Sequence, residues 1–112
     1  MRLQRSQDFR RVWKEGRSWV HPLFVLWAAP STLPHTRIGL VASRKVGGAV
    51  ERNRARRLLR EAARQLYPQV LSGWDLVLVA RRALPAVKMQ TVATALEETL
   101  KRADLWKSRV RG

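Results

Sequence analysis

Between Ala49 and Leu66 the chain contains neither Pro nor Gly, and the run is dominated by Ala, Leu and Arg. All three are strong helix formers, so a helix of about five turns is expected here. At helical spacing Ala55, Leu58, Leu59, Ala62 and Leu66 fall on one stripe, while Arg52, Asn53, Arg56, Arg57, Arg60 and Arg64 fan across the opposite half. One face is core and the other is charge. Widened to Arg44–Arg64, the segment RKVGGAVERNRARRLLREAAR holds eight basic residues against two acids, Glu51 and Glu61. Most of its arginines therefore lack an i,i+4 partner and repel one another, which destabilises the helix unless an anion relieves it. A solvated amphipathic face is the plain alternative. Arginine outnumbers lysine, however, and its planar fork pairs with phosphate oxygens and stacks on bases as an ammonium cannot. The charged face is expected to contact nucleic acid.

The charge is not confined to this helix. Residues 1–17 carry six basic and two acidic side chains, residues 101–112 five basic and one acidic, and the whole 112-residue chain has a net charge of +15. With 46% apolar residues and five Trp the chain can still pack a core, so a single folded domain over residues 1–112 is expected, with a basic tail from about residue 104. No Cys is present, which removes disulfides, thiolate chemistry and the common structural zinc sites together. The N-terminal MRLQRSQDFRRVW lacks the apolar centre of a signal peptide, and no apolar run approaches a membrane span. These features predict a soluble, cytoplasmic protein with a polyanionic partner and no membrane partner.

Along the chain, a short helix is expected from about residue 6 to 15, with Ser6 and Asp8 suiting its start and Gly16 its stop. Phe9, Val12 and Trp13 share one stripe of it. WVHPLFVLWAA predicts a strand beginning at about Leu23, with Phe24 and Leu26 on one face and Val25 and Trp27 on the other. The turn-rich PSTLPH then leads to a second strand at about 36–43, which predicts a hairpin of the two. Gly47-Gly48 provides a hinge before the long helix, which stops near Tyr67-Pro68. WDLVLVA, Trp74 to Ala80, is apolar on both faces, as an interior strand would be. A last helix is expected from about Ala86 or Lys88 to Ala103. The order helix, strand, strand, helix, strand, helix gives an α+β two-layer sandwich with a small mixed sheet. The connection through the long helix joins parallel strands, and general statistics would make it right-handed.

The residues AVERNRARRLLREAAR after SRKVGG resemble the signature of the bacterial ribonuclease P protein subunit, in which an Arg-Asn-Arg core follows a Ser-(Lys/Arg)-Lys-x-Gly loop. RSQDFRRVWKEGRS is similar to that family's first helix, PLFVLWA to its first strand and WDLVLVAR to the strand after the basic helix, so the likeness covers roughly residues 2–103. The resemblance implies a left-handed crossover around the basic helix, in place of the right-handed one. It also implies a cofactor to a catalytic RNA that frees the mature 5′ end of precursor tRNA. Mapped residue by residue, the catalytic-RNA contacts are Ser43, Arg44, Lys45, Arg52, Asn53, Arg54, Arg56, Arg57 and Arg60, and the contacts to the precursor's single-stranded 5′ leader are Phe9, Trp13, Val25 and Trp27. Trp13 and Trp27 stand where the family commonly has Phe and Tyr, a change that keeps a stacking surface for unpaired bases. Residue 44 is Arg where Lys is frequent, and Ala55 and Ala63 replace larger apolar residues seen in many relatives.

A nuclease centre within the protein itself finds little support. Two-metal chemistry needs carboxylates converging on ions about 4 Å apart, whereas the eight acids are scattered beside basic residues. His21 and His35, the only histidines, lie beside prolines in turn-prone segments and make a poor acid–base pair. Gly47-Gly48 lacks the lysine and hydroxyl that complete a phosphate-binding loop. The expectation is therefore no catalytic or metal-binding residue in the protein, no cofactor bound by it alone, magnesium ions held mainly by the RNA, and no protein partner. The competing reading is a structural RNA-binding protein of ribosomal type, which needs the charge but no groove for a single strand. A DNA reader is less apt, since a uniform arginine face reads phosphate more than sequence.

Overall fold

The structure, a computed structural model, describes residues 2–107. Helix α1 spans Ser6–Glu15, followed by strands β1 (Arg17–Val20), β2 (Phe24–Pro30) and β3 (Arg37–Val41), helix α2 (Ala49–Leu66), strand β4 (Trp74–Ala80) and helix α3 (Met89–Arg102). This is the expected α+β arrangement of three helices and a small mixed sheet, with one strand more than the sequence predicts.

The extra strand changes the hairpin. β1 pairs with β2 from Arg17↔Ala28 to Val20↔Val25, around a turn in which the Leu23 N–H donates to His21 Nδ1 at 3.0 Å. Pro22 is thus part of a turn between strands and not a break ahead of one. The predicted hairpin of β2 with β3 does not form, because the sheet order is β1-β2-β4-β3. β4 lies between them, antiparallel to β2 over seven residue pairs and parallel to β3 over five. Its side chains are apolar toward both faces after Asp75, and only an interior position buries both. The PSTLPH loop crosses the end of β4, where the Ser31 N–H donates to Gly73 O at 2.8 Å.

On one face of the sheet α2 and α3 pack on Phe24, Leu26, Leu76 and Leu78, with Leu59 and Leu100 among the fully buried side chains. Each such leucine stabilises the fold by roughly 1.5–3 kcal/mol. The buried positions of α2 are Ala55, Leu58, Leu59, Ala62 and Ala63, whereas Leu66 is only half-buried. Ala63 therefore replaces Leu66 in the predicted stripe. The opposite face carries α1, whose Val12 packs with Leu3, Ala29 and Val77, adding a partial third layer to the two-layer body.

Glycines act through close approach more than through freedom. Gly16 ends α1 with φ −85°, and a Cβ there would lie 2.5 Å from Val12 O and 2.8 Å from Ala28 O. It is required because the turn from α1 into β1 passes tightly against the β2 backbone, not for a left-handed cap. Ser6 opens α1 without capping it; Arg5 is the capping residue and makes no side-chain cap bond. Gly47, with φ 147°, holds a conformation that side chains disfavour at the start of α2.

The beginning of the predicted tail is docked. Leu105 is buried, Leu71 N donates to Leu105 O at 2.8 Å, and Lys107 N donates to Gln69 O at 2.7 Å. Trp106 bridges to Val70 and lies 5.4 Å under Lys101 Nζ. The remainder of the basic tail, with Arg109 and Arg111, lies outside the described residues.

Candidate nucleic-acid interface

Two surfaces of different chemistry lie on either side of the sheet. On α2, Asn53, Arg54, Arg57 and Arg60 are exposed, and Arg52 and Arg56 are half-buried. The turn leading into the helix exposes Ser43, Arg44 and Lys45. That turn closes through Val46 N to Ser43 O at 3.0 Å and Gly47 N to Arg44 O at 3.2 Å, and Ser43 Oγ accepts the Lys45 N–H at 3.3 Å. Among the described residues the only carboxylate pair on α2 is Arg64 with Glu61, so Arg44, Lys45, Arg57 and Arg60 face solvent without a countercharge. Glu61 and Arg64 shift each other in the usual sense of such a pair, the carboxyl lowered and the guanidinium raised, chiefly through their hydrogen bond.

Not every arginine of the motif is equally available. Arg54 Nε donates to Pro85 O at 2.5 Å and anchors the turn before α3. Arg56 donates to Asn53 Oδ1 at 3.0 Å, and the Nε of Arg52 is buried without a partner. Sequence reasoning missed Arg82, whose Nε donates to Lys45 O at 3.4 Å and so adds a cation beside the turn.

On the opposite face the predicted aromatic residues do come together. Trp13 and Trp27 meet edge-to-face with centroids 5.2 Å apart, and Phe9 follows at 6.4 Å from Trp13. Phe9 packs against bare β3 backbone: a Cβ on Gly39 would fall 2.6 Å from its Cζ. Trp13 is 37% exposed, and Val25 and Trp27 are half-buried. Because Val25 pairs with Val79 and Val79 with Val41, the three make one row across the sheet. Val20, opposite Val25 and 57% exposed, extends it. Val41, Val79 and Val20 were invisible to sequence reasoning, since their alignment depends on strand register. The result is an aromatic and aliphatic trough walled by α1, whose Val41 end leads within two residues into the Ser43–Lys45 turn.

The wall is latched by an ion cluster around one buried carboxylate. Asp75 is 0% exposed; its carboxylate accepts from Arg37 Nε at 2.9 Å and from a terminal Arg37 nitrogen at 2.7 Å, and also pairs with Arg11 of α1. Arg37 also reaches Asp8 of α1 at 3.4 Å, and Arg11 donates to Pro30 O at 3.0 Å. The hydrogen bond to Asp75 raises the Arg37 pKa above its ordinary value, so the guanidinium stays charged. Acids that are distant in sequence, Asp8 and Asp75, thus converge, but on an arginine. Among the described residues no three His, Cys, Asp or Glu side chains gather as a metal-ligand set. His21 stacks on Phe24 at 5.0 Å with its pKa lowered mainly by burial, and its Nδ1 is occupied by the turn.

Helix arginines without countercharges can hold phosphates, and an aromatic trough can stack unpaired bases. Comparisons with known proteins give the family. The Ribonuclease P family model matches residues 1–104. A ribonuclease P protein component from Herpetosiphon aurantiacus is 41% identical over 108 residues, which span 96% of this chain and 88% of that protein. Among solved structures, the RNase P protein of Staphylococcus aureus superposes with a TM-score of 0.84 at 28% identity, covering 95% of this chain and 97% of that one. The RNase P protein from Thermotoga maritima does so at 0.81 and 31% identity, covering 100% and 99%. Matched along nearly its whole length, the chain belongs to the ribonuclease P protein component family.

Proposed function

We propose that this chain is the protein cofactor of a ribonuclease P ribozyme, holding the catalytic RNA with α2 and its leading turn and the 5′ leader of precursor tRNA in the trough. Family membership supports a role in tRNA 5′ processing within an endoribonuclease holoenzyme. The observation that carries the finer reading is the pairing of the two surfaces: a basic face on which Arg44, Lys45, Arg57 and Arg60 have no carboxylate partner, and a stacking trough that opens beside the same Ser43–Lys45 turn. A structural RNA-binding protein of ribosomal type accounts for the first and leaves the second unused.

In this reading the RNA carries the chemistry, and magnesium held by the RNA supplies the activated water and stabilises the leaving oxygen. The protein contributes position and charge. Arg57, Arg60, Arg44 and Lys45 neutralise phosphates where two RNAs meet, and Trp13, Trp27 and Val25 receive bases that only a precursor possesses. Cytoplasmic placement follows from that work; among the described residues no helix is long and apolar enough to cross a membrane.

The test is assembly with the catalytic RNA as a function of salt. If about six phosphates are neutralised, log affinity falls against log salt with a slope of about −4 to −5. Replacing Arg57 and Arg60 together by Ala is expected to weaken assembly and flatten that slope by about one to two. Arg54 is left intact because it also anchors the turn at Pro85. Unchanged affinity and slope would remove α2 from the interface.

A further inference from the structure

Between α2 and the outer edge of the sheet lies a cavity of about 510 Å³, within the range of sites that enclose a small ligand. Its floor is apolar, formed by Ile38, Leu40 and Ala63, Leu3 of the N-terminal arm also lines it, and its rim includes Arg2, Arg56 and Arg60. β3 is an edge strand. Arg2 bridges to Ile38 in parallel, and Leu3 N donates to Ile38 O at 3.0 Å, so the N-terminal arm forms one wall.

The floor and rim ask for different things. Ile38 and Leu40 remain only half-buried although they point toward the α2 side of the sheet. Among the described residues none of the three rim arginines has a carboxylate within 4.0 Å, whereas neighbouring Arg64 is occupied by Glu61. A flat, weakly polar group carrying an anion satisfies both: the ring covers the floor, and the anion meets the guanidinium forks. A nucleotide has that form. The rim arginines Arg56 and Arg60 belong to the helix face assigned above to the catalytic RNA, so the charge around the cavity is continuous with that surface.

We propose that this cavity receives one unpaired nucleotide of the RNA gripped by α2, its base against Ile38 and Leu40 and its phosphate between Arg56 and Arg60. The occupant rests on the reading of α2 as the RNA-binding helix. The contact goes beyond that reading, because it adds a base-sized site to a surface otherwise described by charge.

The experiment uses the full chain with 13C-labelled Ile and Leu methyl groups and adenosine 5′-monophosphate as probe. Expected are upfield ring-current shifts at the Ile38 and Leu40 methyls, absent with inorganic phosphate. Arg60→Gln is expected to weaken the probe about fivefold, the upper end for an exposed ion pair. In the complex with catalytic RNA the probe no longer moves these methyls, because the RNA's own nucleotide occupies the site. No shift with the probe, or the same shift with inorganic phosphate, would overturn the cavity as a base site. Free access of the probe in the assembled complex would overturn the RNA as its occupant. Failure of the α2 reading is separately visible, as unchanged assembly of the Arg57 and Arg60 variant.

Discussion

Trp27→Ala is expected to weaken binding of precursor tRNA by the holoenzyme about tenfold while changing binding of mature tRNA less than twofold. The magnitude follows from the stacking of single-stranded bases, worth about 1–3 kcal/mol per base, or about 5- to 150-fold. The asymmetry follows from the substrates, since the mature tRNA has no leader to place in the trough. Trp27 also packs edge-to-face on Trp13 at 5.2 Å, so its loss loosens the wall as well as the floor. Trp27→Phe separates the two effects: it keeps an aromatic face and is expected to retain most of the discrimination. Binding of matched precursor and product, with leaders of defined length, is the measurement. Equal losses for both ligands would show that Trp27 supports the fold and does not contact the leader.

Asp75→Asn carries the largest expected effect on stability, about 3–5 kcal/mol, because it removes the buried carboxylate charge from an ion cluster. Against the 5–15 kcal/mol by which domains of this kind are stable, that is a large fraction. The carboxylate is fully buried and shared by Arg37 and Arg11. An amide presents one acceptor oxygen and leaves two guanidinium groups facing each other. The consequence reaches function, since Arg11, together with the Arg37–Asp8 pair, links α1 to the sheet, and α1 carries Phe9 and Trp13. Urea unfolding measures the first effect, and precursor-versus-product binding of the folded fraction the second. Glu61→Ala, which breaks the exposed pair with Arg64, is the control and is expected to leave the urea midpoint nearly unchanged, because solvent screens such a pair. A loss at Asp75 no larger than the control's would mean that the cluster does not latch α1.

The elements that sequence reasoning located well are those whose signal is local. α1, α2, α3 and β4 follow from helix propensity, stripe spacing and a doubly apolar run, none of which depends on a distant partner. β1 escaped because RSWV is short, mostly exposed, and separated from β2 only by a turn around Pro22 that reads as an interruption. The β2–β3 hairpin does not form for a related reason: strands adjacent in sequence need not be adjacent in the sheet, and β4, apolar on both faces, has the stronger need for the central place. The same limit governs the site. Phe9, Trp13, Val25 and Trp27 lie together as their helix and strand parity suggests, but Val41 and Val79 join them only through register. Asp75 reads as a stray acid in an apolar strand, and its partners, Arg37 and Arg11, are 38 and 64 residues away. Arg11, counted from the sequence as part of the positive field, is largely spent on that latch.

The central claim is that this protein enables an RNA to cut precursor tRNA. Its most direct test is precursor cleavage by a bacterial ribonuclease P RNA at low magnesium, with and without the full chain. The account predicts efficient release of the leader only when both are present, and no cleavage by the protein alone. An RNA whose cleavage rate is unchanged by the protein, or a protein that cleaves without the RNA, would contradict it.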